Sequence, residues 1–195
     1  MGFRLVSCAN NHATDYGDDG MMAMLAHLRR AGIAHAGAGA NLAEARKPAY
    51  LDTAAGRVAL IAATTFYPHW QRAADQRPDA LGRPGVNPLD FAISYTVDDA
   101  TFAALAKASE GLGMVQARTR QRAMFFSAAE APEDSAGALT FLGQRFVRGN
   151  GFAVATKTKQ SDLDGNLRWI REARRQADFV IFSLHNHEYG PGPPL

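Results

Sequence analysis

The chain has 195 residues, enough for one domain with a sizeable core. Apolar residues make up 47% and charged residues 21%, the balance of an ordinary globular protein, and a formal charge of +2 without a long basic run argues against nucleic acid as a partner. The single cysteine, Cys8, excludes an internal disulfide, and no apolar stretch approaches the roughly 20 residues of a membrane helix. No signal peptide is visible, so the cytoplasm is the default compartment, with an envelope location expected if a further amino-terminal segment exists.

"FRLVSC", residues 3–8, reads as a short buried strand. Asp18 is placed to cap the next helix, with Asp19 in its first turn, and Met21, Met24, Leu25 and Leu28 fall at helical spacing before Gly32. "IAHAG" is a second strand, which makes a βαβ unit and predicts a parallel sheet with helices on its faces. "GAGANLAEARKP" is a glycine turn with two helical turns stopped by Pro48, and "AYLDT" and "RVALIAAT" read as a hairpin. Residues 66–97, rich in proline, aromatics and arginine, read largely as a surface excursion of the kind that forms lids or binding loops.

A further helix begins at Asp98 or Asp99, with Phe102, Leu105 and Ala106 on one face, while residues 111–137 match no element. "ALTFLGQRFV" has strand character. Leu163, Leu167, Ile170, Ala173 and Ala177 then share a helical face, with Arg168 and Glu172 spaced to pair. "DFVIFSLH" is a nearly continuous apolar run, expected to be covered on both faces. No repeat breaks the chain, so residues 1–195 read as a single α/β domain.

Two segments share one design. "FRLVSCANNH" and "DFVIFSLHNHE" each end an apolar strand in histidine, asparagine and acid. As parallel neighbours they would place both polar ends on one rim of a sheet, where open α/β folds bind ligands. Asn11 offers an amide oxygen, and His12, His185 and His187 offer imidazoles, a set suited to zinc, manganese or iron. Asp15 and Glu188 are placed to orient the imidazoles. Each cluster also reads as ordinary polar turn or strand-end material. "GAGAN" lacks the lysine and the frame of a phosphate loop, and Cys8 reads as core.

Residues 2–48, with "ANNH", "DYG" and "GAGANLAEARKP", closely resemble the CapA family of poly-γ-glutamate capsule synthesis proteins, and "NLRWIREARRQADFVIFSLHNHEYG" resembles that family's later block. The resemblance implies a layered α/β sandwich similar to calcineurin-like metallophosphoesterases, with a dinuclear centre of divalent ions (Mn, Zn or Fe) at strand ends. It implies Asn11 and His185 as metal ligands and His12 as the proton donor to the leaving group. Asp15, His187 and Glu188 are additions from the residues themselves.

The family's opening strand ending in "GD" does not lie upstream of Gly2, and no "GHxPH"-type motif follows the later block; both supply further ligands in that family. The chain therefore reads as the middle of such a domain, and by itself is expected to bind metal poorly and to have little activity. The implied function is hydrolysis in capsular or cell-envelope polymer metabolism, acting on an acidic polymer or a phosphorylated or amide substrate, with a membrane polymerase complex as a possible partner. The alternative is a non-catalytic scaffold or polymer-binding subunit.

Overall fold

A computed structural model describes residues 2–125 and 134–187. The chain opens with β1 (Leu5–Ser7), α1 (Gly17–Arg30) and β2 (Ala34–Ala36), and β1 and β2 pair in parallel with Leu5 opposite Ala34. Asp18 does not cap α1. A run of turns carries Asn10 to Gly17 directly into the helix, through bonds such as Gly17 N–H to the Thr14 carbonyl, and leaves Asp18 and Asp19 inside the first turn, where they oppose the positive end of the dipole. Met21 and Leu25 bury the expected stripe against Cys8 and Ala38. Gly32, at φ +68°, ends the helix: its N–H meets the Arg29 carbonyl and the Ile33 N–H meets the Leu28 carbonyl, closing the helix terminus.

Next come β3 (Ala38–Gly39), α2 (Leu42–Arg46), β4 (Ala49–Thr53) and β5 (Gly56–Thr64). The α2 start is a cap built from both sides: Asn41 accepts from the Glu44 N–H at 2.9 Å, and Glu44 reaches back to the Ala40 N–H at 3.1 Å. Replacing Asn41 with alanine is expected to destabilise the protein by about 1 kcal/mol, read by urea denaturation.

Residues 66–97 are more ordered than the composition suggests. They hold a 3₁₀ turn at His69–Gln71, β6 (Gly85–Val86) and β7 (Phe91–Val97). β7 is rich in aromatic and β-branched residues, and closes the excursion earlier than expected. α3 (Asp99–Gly111) is capped by Asp98, which accepts from the Thr101 N–H at 2.8 Å. α4 (Met114–Phe125) falls within the stretch that matched no element, because its apolar residues line no single face. "ALTFLGQRFV" is a hairpin rather than one strand, β8 (Ala138–Phe141) and β9 (Gln144–Arg148), turned at Leu142 and Gly143, both at positive φ. β10 (Ala153–Thr158), α5 (Gln160–Gln176) and β11 (Phe179–His185) complete the order.

The chain divides into two compact units. Of the described residues, one comprises 2–91 and 158–187, the other 92–125 and 134–157. The second carries the sheet β10-β7-β9-β8, on which Phe102 of α3 packs with Val97 and Leu139.

In the first unit, β5 is the central strand of the sheet β11-β5-β4, parallel to β11 and antiparallel to β4. Ala173 of α5 and Ala177 just after it cover Ala59 and Ile61 on one face, and Ala9 and Ala36 cover Leu60 and Ala62 on the other. The double covering expected of "DFVIFSLH" therefore belongs to β5. β11 lies at the edge of this sheet, with Phe179, Ile181, Phe182 and Leu184 exposed. On α5, Glu172 pairs with Arg175 and accepts from Gln176, where Arg168 was the expected partner. The most buried positions of that helix include the polar Asp162 and Asn166. Among the described residues no helix is long and apolar enough to cross a membrane.

Candidate functional site

β1 and β11 are not neighbours in one sheet, since β1 pairs with β2 and β11 with β5. Their polar ends nevertheless touch. His185, the last residue of β11, lies opposite Thr64 at the end of β5, and its Nε2 is 2.9 Å from Asn11 Oδ1, across 174 positions of sequence. His187 Nε2 approaches His185 Nε2 at 3.1 Å, and the ring of His187 stacks on Phe66 at 4.3 Å between centroids. On the other side, Asn11 Nδ2 is 3.3 Å from His12 Nε2, and His12 Nδ1 is 2.9 Å from Asp15 Oδ2. The five residues thus form one chain of contacts, Asp15–His12–Asn11–His185–His187. Glu188 lies outside the described residues.

The turn after β1 is shaped for this. Asn10 Oδ1 accepts the His12 N–H at 2.9 Å, which folds the backbone so that Asn11 and His12 project in sequence. Gln71, 3% exposed, donates from Nε2 to the Asn11 carbonyl at 3.0 Å and so fastens the turn to the 66–90 segment. Thr65 holds the other side: its N–H meets the His185 carbonyl at 3.0 Å, and its hydroxyl meets Asn186 Oδ1 at 2.6 Å. Sequence reasoning missed Gln71, Thr65 and Phe66. They lie in or beside a segment without periodicity, and carried no signal.

Hydrogen-bond capacity decides what the centre of the chain can hold. With Asn11 Nδ2 directed to His12, Asn11 Oδ1 is left to accept. A neutral His185 has at most one proton on Nε2, yet that nitrogen faces both Asn11 Oδ1 and His187 Nε2. One proton satisfies one of these contacts fully and leaves the other lone pair facing it poorly served. A cation satisfies all three atoms together. Adjacent ligand atoms at about 2.1 Å from one octahedral ion lie about 3 Å apart, close to the 2.9 Å and 3.1 Å by which His185 Nε2 is separated from Asn11 Oδ1 and His187 Nε2. Burial lowers the pKa of His185, and repulsion from His187 and His12 adds to the shift, so the ring favours its neutral, ligating form. The donor set therefore fits a divalent ion. It comprises two imidazoles and one amide; among the described residues no group of three His, Cys, Asp or Glu side chains is suited to hold one.

His12 is set apart by exposure. Its side chain is 74% exposed, against a half-exposed Asp15, so it reaches solvent while Asp15 fixes its Nδ1 side. Cys8, by contrast, is core: burial pushes its thiol up to about 11, away from reactive thiolate.

An α/β chain with a histidine and asparagine cluster at strand ends is the class defined so far. The chain belongs to the family described as bacterial capsule synthesis protein PGA_cap, whose model matches residues 1–194. Two similar proteins, the uncharacterized proteins y4sH and y4uA of Sinorhizobium fredii (strain NBRC 101917 / NGR234), are each 34% identical over 192 residues. The match covers 97% of this chain but 38% of each relative, so the chain spans less than two-fifths of their length.

Proposed function

We propose that this protein is a metal-dependent hydrolase of capsular or cell-envelope polymer metabolism, layered like the calcineurin-type metallophosphoesterases. Its substrate would be poly-γ-glutamate or a related acidic polymer, cleaved at an amide or phosphoryl bond. The reading is carried by one observation: Asn11 Oδ1 and His185 Nε2 meet at 2.9 Å from the ends of two separate strands.

In this reading Asn11 and His185 hold a divalent ion, with His187 as a further donor. When bound, such an ion polarises a phosphoryl or carbonyl oxygen and lowers the pKa of coordinated water. His12 supplies the proton to the leaving group. Asp15 faces Nδ1 and fixes the ring, and exposure opens the ring to solvent. Phe66 holds the His187 ring by stacking, and Gln71 keeps Asn11 facing the pair. All three donors are neutral, so a dinuclear centre needs a carboxylate in addition, to offset the charge of two ions.

Calorimetric titration with Mn²⁺ and Zn²⁺ tests the assignment. The expected result is saturable binding with a Kd weaker than about 10 μM, weakened a further tenfold or more in His185→Ala and Asn11→Ala. His12→Ala leaves the affinity unchanged. No saturable binding, or binding indifferent to His185, overturns the proposal.

A further inference from the structure

A cavity of about 560 Å³ opens among the end of α1, β2, α2 and the start of β4, and none of the cluster residues lines it. Its volume falls within the roughly 300–1,000 Å³ of small-molecule pockets. Leu25, Ile33 and Pro48 give it an apolar wall, and Arg29, His35 and Lys47 add three basic side chains.

The basic groups are arranged to bind rather than to pair internally. Arg29 spends Nε on the Leu25 carbonyl at 3.2 Å, which directs the guanidinium and leaves its two terminal nitrogens open. His35 spends Nδ1 on the Ile33 carbonyl at 3.2 Å and keeps Nε2 free. Lys47 follows the last turn of α2 and is exposed. The one acid in the lining, Glu44, is held by the Ala40 N–H as part of the α2 cap. Among the described residues neither Arg29 nor Lys47 forms an ion pair. Arg29 and Lys47 outnumber the single Glu44 carboxylate around this concavity, which leaves an excess of positive charge and raises the local potential.

We propose that this cavity binds a small organic anion, with its carboxylate or phosphate group held by Arg29 and Lys47 and its carbon skeleton on Leu25, Ile33 and Pro48. The open end of the Arg29 guanidinium matches two oxygens of either group, and Lys47 adds a point charge. A bare inorganic ion would leave the apolar wall wet, so the fitting ligand carries carbon. The site shares no residue with the histidine cluster and stands independently of the hydrolase reading.

The test is calorimetric titration at low ionic strength with two probes, glutarate and glucose 1-phosphate, and with uncharged 1,5-pentanediol as a control. At least one anion is expected to bind saturably and the diol not at all. Arg29→Ala and Lys47→Gln each weaken that binding about tenfold, the scale of one charge-assisted hydrogen bond. His185→Ala leaves it unchanged. Both substituted side chains are exposed, so the variants are expected to melt with the parent. Which probe binds identifies the anionic group. Failure of both anions to saturate, equal binding of the diol, loss of binding in His185→Ala, or parental affinity in both charge variants overturns the proposal.

Discussion

Asp162→Ala is expected to lower the unfolding free energy by about 3–5 kcal/mol, the cost of removing one partner from a buried ionic network. Asp162 is 1% exposed, and its Oδ1 accepts from Arg46 Nη2 at 2.8 Å and Arg72 Nη2 at 2.7 Å. Its other oxygen accepts the Asp90 N–H at 3.3 Å. Alanine leaves two largely buried guanidinium groups without their shared counter-charge. Asp90, which also pairs with Arg72, compensates one of them in part and Arg46 not at all. Gly165 has its place in the helix for the same reason. A Cβ there would collide with Arg46 Nη1, so the glycine lets the guanidinium pass under α5 to reach Asp162. Urea denaturation at neutral pH reads the loss; a change below about 1 kcal/mol would show that water already serves both arginines.

The same network explains where the sequence was legible and where it was not. The stripe of Met21 and Leu25, the glycine stop at Gly32, the β4–β5 hairpin and both polar strand ends show in the sequence because each depends on neighbours a few positions away. Asp162 and Asn166 do not. By periodicity they flank the apolar face of α5, yet they are its most buried polar positions. Their partners lie far off in sequence: Arg46 is 116 positions from Asp162, and Asn87 is 79 from Asn166. A buried polar residue looks like a surface one until its partner is known.

The candidate site divides along the same line. Asn11, His12, Asp15, His185 and His187 stand out as chemistry at the ends of apolar runs. Gln71 and Thr65, which hold those residues in place, stand out by nothing. The exposed edge of β11 marks a further limit. An apolar run predicts covering on both faces, but the place of a strand in its sheet depends on which other strands pair with it, and here β5 takes the centre.

Gly37→Ala is expected to damage fold and site together. Gly37 sits at φ +97°, which an L side chain adopts only with strain. An added Cβ would lie 2.6 Å from Ala9 Cβ, 2.8 Å from Ala62 Cβ and 2.9 Å from Ala9 N. Ala9 and Ala62 are both buried, and the Gly37 carbonyl accepts the Asn87 N–H at 2.8 Å, so the methyl group has no free direction. Strain and overpacking together give a loss of about 3 kcal/mol. The displaced neighbour matters as much as the energy. Ala9 leads through Asn10 into Asn11, while Ala62 precedes Thr64, the residue opposite His185. Pushing Ala9 and Ala62 apart therefore separates Asn11 Oδ1 from His185 Nε2. On the proposed assignment of Asn11 and His185 as metal donors, the expected result is a lower urea midpoint together with metal binding as weak as that of His185→Ala. A Gly37→Ala protein that keeps parental metal affinity would show that the Asn11–His185 contact does not depend on the close approach of β1 and β5.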